Sequence, residues 1–269
     1  MTNYLAALTI AVLYSGATWL LINRLRQSTT NATGTLESRR SAIVLATIAT
    51  VLHSYIAYRH SGLPNTLSLP FFTALSVTML TIVIIQLVMC VTRPADYLGL
   101  LIYPVAAISI LSSELMQSPA KPLAKSLQLH ILLSITAYAL LALGAAQAAL
   151  VAVQRRYLNK HQPGGFIRAL PPLTSTESTL FLLLSAGFML LTLSLVSGFA
   201  FLEDMFDQHV VHKTVLSCLA WVIFAVLLFG RWRFGWRGQR VVRWTLGGFA
   251  TLLVAYFGSK LVLELILQR

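Results

Sequence analysis

Residues 178–202 read STLFLLLSAGFMLLTLSLVSGFAFL, a stretch without a single charged side chain. A helix of roughly 20 apolar residues crosses a hydrocarbon core about 30 Å thick, so this stretch predicts a membrane span. Similar stretches recur along the whole 269-residue chain, of which 57% is hydrophobic and only 10% is charged. Soluble domains of this size are less apolar. Each span should be helical, because unpaired backbone amides are costly in lipid.

The pattern predicts an all-α, polytopic membrane protein with about eight transmembrane helices. The predicted spans are Tyr4–Ile22, Ser41–Tyr58, Leu69–Val91, Tyr97–Ser113, Leu127–Val153, Ser178–Leu202, Thr214–Gly230 and Trp244–Ile266. No large soluble domain fits between them. We therefore expect a single integral membrane domain over residues 1–269, with the lipid bilayer as its surroundings.

Most of the 20 lysines and arginines fall in alternate loops between these spans. The residues are Arg24, Arg26, Arg39, Arg40, Arg93, Arg155, Arg156, Lys160, Arg168, Arg231, Arg233, Arg237, Arg240 and Arg243. The positive-inside rule places such loops in the cytoplasm, so both termini are expected outside. The net charge of +12 is then a topology signal with some attraction to anionic lipid headgroups, and nucleic acid is not an expected partner.

Sequence motifs of common hydrolases are absent. The chain contains neither HExxH nor GxSxG, which are the patterns of zinc proteases and serine hydrolases. Its two cysteines, Cys90 and Cys218, form no CxxC motif and should lie near opposite faces of the membrane, so a disulfide is not expected. We expect that the protein is not an enzyme.

Five of the six histidines are predicted to lie toward the outer face, and imidazole is a ligand for iron, copper or zinc. His53 lies within the second span, where an ionisable side chain is costly and either serves a function or makes a hydrogen bond between helices. His130 and His212 stand where a predicted helix meets water. His212 with Lys213 could equally form an anion site at a helix start.

The other three histidines, His60, His161 and His209, are expected to be solvated, because they lie in loops with polar neighbours. Residues 201–221, FLEDMFDQHVVHKTVLSCLAW, gather carboxylates, histidines and a lysine between two apolar spans. Serines within spans, among them Ser194 and Ser197, are expected to assist helix packing and to make hydrogen bonds between helices.

Five stretches resemble the cytochrome c assembly family of haem-handling membrane proteins (CcsA and CcmC), most closely its bacterial YpjD-like branch. They are VLHSYIAYRHSGLPNTLSL (51–69), LHILLSITAYALLALGAAQAAL (129–150), LPPLTSTESTLFLLLSAGFMLLTLSLVSGFAF (170–201), HKTVLSCLAWVIFAVLLFGRWRFGWRG (212–238) and VAYFGSKLV (254–262). The resemblance covers most of the chain. It implies a multi-pass protein of the bacterial inner membrane that acts in cytochrome c biogenesis, with other assembly proteins as partners.

The resemblance further implies non-covalent haem at the periplasmic face. By it, His130 is similar to the family histidine at the outer start of its span, and His53 to the histidine within the second span. His212 or His209 would substitute for a missing ligand, and His53, His130 and His212 are the candidates for the iron. Lys213 and Arg59 would supply positive charge for the propionates.

The chain also departs from the family. No tryptophan lies between Glu203 and Thr214, so the family's WWD shelf is missing, and Phe229 stands where the family has a histidine in span seven. After AYFG the chain continues as SKLVLELILQR, without the second outer histidine. The alternative is therefore a transporter-like or accessory membrane protein that keeps the fold without haem.

Overall fold

The computed structural model describes residues 2–27, 32–62, 67–116, 123, 127–160, 170–201 and 208–258. Its helices are α1 (Thr2–Gln27), α2 (Ala32–His60), α3 (Phe71–Thr92), α4 (Gly99–Leu115), α5 (Gln128–Asn159), α6 (Leu173–Phe201), α7 (Gln208–Phe234) and α8 (Gln239–Leu253). A 3₁₀ turn at Asp96–Leu98 leads into α4, and a π-helical turn at Val254–Gly258 continues α8. These described residues contain no strand, which confirms the all-α prediction.

Seven helices in the described part of the chain are long and apolar enough to cross a membrane. They are Tyr4–Arg26, Leu36–His60, Phe71–Thr92, Asp96–Leu115, Gln128–Asn159, Leu173–Ala200 and Lys213–Phe234. Each contains most of one predicted span. The eighth predicted span, Trp244–Ile266, begins in α8 and continues past the described residues. The outside location of both termini stays a prediction.

Exposed apolar side chains cover these helices. Val91 is 85% exposed, and Val12 and Met189 are each 68% exposed. Apolar surface spread in this way would be costly in water and is favourable against lipid chains. The distribution is that of a multi-pass membrane protein.

The chain divides into two compact units. Unit 1 comprises Met1–Pro122 and Arg156–Pro172, and unit 2 comprises Leu123–Arg155 and Leu173–Arg269. The single domain over residues 1–269 stays a prediction.

In unit 1, α1 packs against α2 and α4, and α3 packs against α4. Ala42, Ala46 and Ala49 form a buried small-residue stripe on α2, which lets neighbouring backbones approach closely. The rings of Tyr14 on α1 and Tyr103 on α4 stack at 5.9 Å between centroids. Both tyrosines are fully buried, so the core of unit 1 is aromatic as well as aliphatic.

A buried carboxylate joins three elements at one end of unit 1. Asp96, in the turn before α4, forms ion pairs with Arg24 of α1 and Arg39 of α2. Arg39 also donates to the backbone carbonyl of Cys90 at 3.4 Å. A buried charge requires such partners, since desolvation would otherwise exclude it. Arg24 and Arg39, predicted as topology signals, therefore also hold these helix ends together.

Unit 2 has an aliphatic and aromatic core that includes Leu141 of α5, Leu184 of α6, Phe224 of α7 and Leu252 of α8. Helices α5 and α6 approach closely at Gly187, where an added Cβ would lie 2.8 Å from the Leu141 side chain. The Leu141 side chain of α5 therefore fills the space over Gly187 of α6.

Candidate functional site

His130 lies in the first turn of α5 and is half-buried. Its Nδ1 atom lies 2.9 Å from the backbone carbonyl oxygen of Ser194 on α6. The hydroxyl oxygen of Ser197, one turn further along α6, lies 3.2 Å from the same nitrogen. The start of α5 is thereby fixed to the end of α6 through one imidazole.

These contacts determine which ring nitrogen of His130 carries the proton. A carbonyl oxygen can only accept a hydrogen bond, so Nδ1 bears the N–H and donates it to Ser194. Nε2 of the neutral ring then keeps its lone pair. In metal sites the ring orientation and tautomer are set in this way, by a hydrogen bond from the nitrogen that does not bind the metal.

The other side of the ring faces Ser134, whose hydroxyl oxygen lies 3.5 Å from Nε2. That hydroxyl donates its one proton to the backbone carbonyl of His130 at 2.7 Å. It also lies 2.7 Å from the hydroxyl oxygen of Ser194, which must then be the donor in that pair. The contact of Ser134 with Nε2 is therefore weak, since the Ser134 proton is directed to the His130 carbonyl, and a ligand could displace it.

Exposed apolar residues neighbour His130 and Ser197 in sequence on the two helices. Leu129 and Leu132 of α5 are 54% and 64% exposed. On α6, Val196 and Phe199 lie beside Ser197 in sequence and are also exposed. Exposed apolar side chains near an oriented imidazole would suit a flat, largely apolar macrocycle, whose iron takes an axial imidazole.

His53 lies in a different environment, at 0% exposure within unit 1. Its Nδ1 atom lies 3.4 Å from the Tyr14 hydroxyl, and its Nε2 atom lies 2.8 Å from the Ser76 hydroxyl. Both ring nitrogens are therefore engaged between helices α1, α2 and α3. This is the hydrogen bond between helices that the sequence left open as the alternative to ligation, and in this arrangement His53 offers iron no free nitrogen.

For the remaining candidate residues, the structure describes fewer contacts. Arg59 is exposed, and its guanidinium lies 3.5 Å from the hydroxyl of Tyr55 on its own helix. Lys213 is half-buried in the second turn of α7, in unit 2. The backbone of His212 belongs to α7, but its side chain is not among the described ones, and the same holds for His209. Other candidates lie outside the described residues altogether: Glu203, Asp204, Asp207 and His161.

The prediction of a solvated His60 is wrong. Its side chain is 17% exposed, and Nε2 lies 3.1 Å from a carboxylate oxygen of Glu114 on α4. Glu114 is itself 1% exposed. Sequence reasoning passed over Glu114, although an acidic residue at the end of an apolar span is a signal in itself.

Within the described residues, no three His, Cys, Asp or Glu side chains converge to hold a metal ion. A haem does not need such a group, since the porphyrin supplies four ligands and the protein one or two axial ones. His130, with an oriented ring and only a weak contact at Nε2, fits that requirement. His53 does not fit it in the conformation described.

Comparison with known proteins gives a consistent family. The sequence profile described as "Cytochrome C assembly protein" matches residues 35–267. The chain is 35% identical to "Inner membrane protein YpjD" of Escherichia coli (strain K12) over 240 residues, 85% of this chain and 88% of that protein. It is 31% identical to an uncharacterised 28.8 kDa protein of Azospirillum brasilense over 205 residues, 72% of this chain and 75% of that protein.

A more distant relative has a more specific name. The "Cytochrome c biogenesis protein CcsA" of Chlamydomonas reinhardtii is 25% identical over 170 residues, 62% of this chain and 47% of that protein. No solved structure matches the chain.

Proposed function

The chain belongs to the cytochrome c assembly protein family, which supports a role in cytochrome c biogenesis at the bacterial inner membrane, and from this membership we propose that it binds and hands on haem through His130. The site would lie at the periplasmic end of unit 2. Haem is held there without a covalent bond and leaves without being chemically converted, so the protein is not an enzyme.

The observation that carries the proposal is the donation from His130 Nδ1 to the Ser194 carbonyl. It fixes the ring and leaves Nε2 with only the weak Ser134 contact, and a hydrogen bond of this kind raises the basicity of the coordinating nitrogen. Bound haem would supply an iron with axial positions for this nitrogen. The half-buried setting of His130 leaves the ligand reachable from the membrane edge.

His212 and Lys213 extend the proposal within unit 2. They lie in the second turn of α7, and His212 is the candidate for the second axial ligand. Lys213 would supply positive charge to the propionates, as long cationic side chains at helix ends do. Other cytochrome c assembly proteins are the proposed recipients or donors of the haem.

Visible absorption of the detergent-purified chain, reconstituted with haem, tests the proposal. We expect a Soret band in the wild type, its loss in His130→Ala, and its retention in His53→Gln. The glutamine variant is the matched control, because it removes an imidazole but can still hydrogen-bond to Tyr14 and Ser76.

Two results would contradict the proposal. A Soret band that survives in His130→Ala but not in His53→Gln would move the site to unit 1. A folded wild type that takes up no haem would favour an accessory membrane protein that keeps the family fold without the cofactor.

A further inference from the structure

The turn between α7 and α8 is rich in arginine and contains no acidic residue. Five arginines lie between positions 231 and 243: Arg231, Arg233, Arg237, Arg240 and Arg243. No aspartate or glutamate occurs in the sequence between Asp207 and Glu264. Among the described residues, none of the five arginines forms an ion pair with a carboxylate. Positive charge therefore accumulates at this turn without a counter-charge from the described part of the protein.

Two of these arginines meet at one tryptophan of the turn, Trp236. The Arg231 guanidinium donates to the backbone carbonyl of Trp236 at 3.3 Å. The Arg240 guanidinium lies over the Trp236 indole ring, 5.1 Å from the ring centroid. Arg231 also lies 4.5 Å from the centroid of the Phe181 ring on α6. Aromatic residues therefore position both guanidinium groups at the same turn, through cation–π contacts that leave their charge uncompensated.

The backbone of the α7–α8 turn is fixed by its own hydrogen bonds. Gly235 has a φ of 63° and Gly238 a φ of 69°, in the left-handed region that glycine adopts without strain. The N–H of Gly235 donates to the Arg231 carbonyl at 3.1 Å, and the N–H of Trp236 donates to the Gly230 carbonyl at 3.3 Å. Because carbonyls near the end of a helix need such partners, these bonds close the end of α7. The arginines thus project from a defined turn.

Large aromatic side chains beside these arginines are exposed. Trp232 is 80% exposed and Phe234 is 66% exposed. Both lie in the last turn of α7, at the end of the membrane-length helix Lys213–Phe234. Aromatic residues at the ends of membrane spans lie at the level of the lipid headgroups, where they meet apolar and polar groups at once. A ligand that fits both the arginines and these rings is anionic and amphipathic.

We propose that Arg231 and Arg240 bind the phosphate group of an anionic phospholipid at the α7–α8 turn. A guanidinium group matches phosphate oxygens through its paired N–H donors. Trp232 and Phe234 contact the upper acyl region of the same lipid, since they are exposed beside the arginines at the end of a span. Clustered cations without a carboxylate favour a headgroup with net negative charge over a zwitterionic one.

This lipid site is independent of the haem proposal, although both lie in unit 2. Arg231 contacts Phe181 in the first half of α6. His130 contacts Ser194 and Ser197 near the end of the same helix. The two sites therefore lie toward opposite ends of α6, and loss of one ligand is not expected to prevent binding of the other.

Native mass spectrometry of the full-length chain in detergent tests the proposal, because it counts each bound lipid by its mass. The protein is mixed with equal amounts of phosphatidylglycerol, which is anionic, and phosphatidylcholine, which is zwitterionic. We expect the wild type to retain phosphatidylglycerol in preference. In Arg240→Gln and in Arg231→Gln, the affinity for the first bound phosphatidylglycerol should fall about five-fold, the effect of one basic residue at an anionic membrane surface.

Two further variants separate a defined site from general positive charge. Arg40→Gln removes an exposed arginine of α2 in unit 1 and should bind phosphatidylglycerol like the wild type. Arg240→Lys keeps the charge but loses the planar pair of donors, so it should bind less tightly than the wild type. If Arg231→Gln does not fold, Arg240→Gln carries the test, because the Arg240 side chain is exposed.

The source of the phosphate is distinguished with inorganic phosphate and with Trp232→Ala. We expect inorganic phosphate to bind more weakly than phosphatidylglycerol, and Trp232→Ala to lower the affinity for the lipid only. If inorganic phosphate binds the wild type as tightly as the lipid does, the site takes a soluble anion and the proposal is wrong.

Three other results would also overturn the inference. The wild type would bind phosphatidylglycerol and phosphatidylcholine equally, Arg240→Gln would bind phosphatidylglycerol as tightly as the wild type, or Arg40→Gln would lose as much affinity as Arg240→Gln. Each result would leave no defined lipid site at the α7–α8 turn.

Discussion

His130 and His53 show how one residue type takes two roles in this chain. His130 is half-buried, with one nitrogen fixed by a backbone carbonyl and the other in only a 3.5 Å contact with the Ser134 hydroxyl. His53 is fully buried with both nitrogens engaged by hydroxyl groups. The first arrangement presents a ligand, and the second stabilises contacts among helices. Their difference lies in the hydrogen-bond partners that the neighbouring helices provide.

Replacement of His53 by alanine should therefore destabilise unit 1. The Tyr14 and Ser76 hydroxyls would lose their partner inside the protein, at a cost of about 1–3 kcal/mol in the free energy of unfolding. Thermal unfolding in detergent measures this, with His53→Gln as the milder comparison. Equal melting temperatures for wild type and His53→Ala would contradict the assigned role.

At the scale of elements, the turn that contains Asp96 holds the ends of α1 and α2 against the start of α4. Asp96 is 3% exposed, while Arg24 and Arg39 are 23% and 28% exposed. Removal of the carboxylate would leave two arginines close together without their shared partner. The resulting repulsion acts on three elements at once.

Asp96→Ala is expected to lower the free energy of unfolding by about 3 kcal/mol, the low end of the range for breaking a buried pair because both arginines keep some contact with solvent. Glu37→Ala serves as the control, since Glu37 is exposed on α2. Chemical denaturation in mixed micelles provides the measurement. If Asp96→Ala loses no more unfolding free energy than Glu37→Ala, the ion pairs of Asp96 do not stabilise the fold.

Two adjacent glycines on α8 give a second prediction at this scale. A Cβ at Gly248 would lie 2.9 Å from the Phe224 ring of α7, whereas one at Gly247 meets nothing within 4 Å. Gly248→Ala should destabilise unit 2 by about 1–3 kcal/mol through overpacking. Gly247→Ala should be neutral or stabilising by up to about 1 kcal/mol, because alanine favours the helix. Comparable thermal stability of the two variants would contradict this packing.

The elements were predictable from the sequence, while the site was predictable only in part. Spans such as Ser178–Leu202 follow from hydropathy alone, since lipid permits few alternatives to a helix. The partners of His130 depend on how α5 and α6 are rotated and shifted against each other, which hydropathy does not specify. Hydrogen bonds between helices could therefore be expected from Ser194 and Ser197, but the sequence did not indicate that His130 would be their partner. The contact of Glu114 with His60 likewise depends on how α2 and α4 pack, so the sequence did not indicate it.

At the scale of the whole molecule, family membership agrees with the seven membrane-length helices of the described residues. Orientation follows from the arginine-rich loops and predicts both termini in the periplasm. Alkaline phosphatase fused after residue 269 should be active in cells, since this enzyme needs the oxidising periplasm to form its disulfides. If the phosphatase fusion is inactive and a fluorescent protein fused at the same position fluoresces, the C-terminus lies in the cytoplasm. The predicted topology would then be wrong.

The proposed function depends on axial ligation of haem by His130, and rescue by free imidazole tests this ligation most directly. His130→Gly should lose the Soret band of the reconstituted protein, and added imidazole should restore it by occupying the vacated position beside the Ser194 carbonyl. The matched His53→Gly variant should show no such dependence on imidazole. A Soret band in His130→Gly that is identical to the wild type and unaffected by imidazole would contradict the central claim.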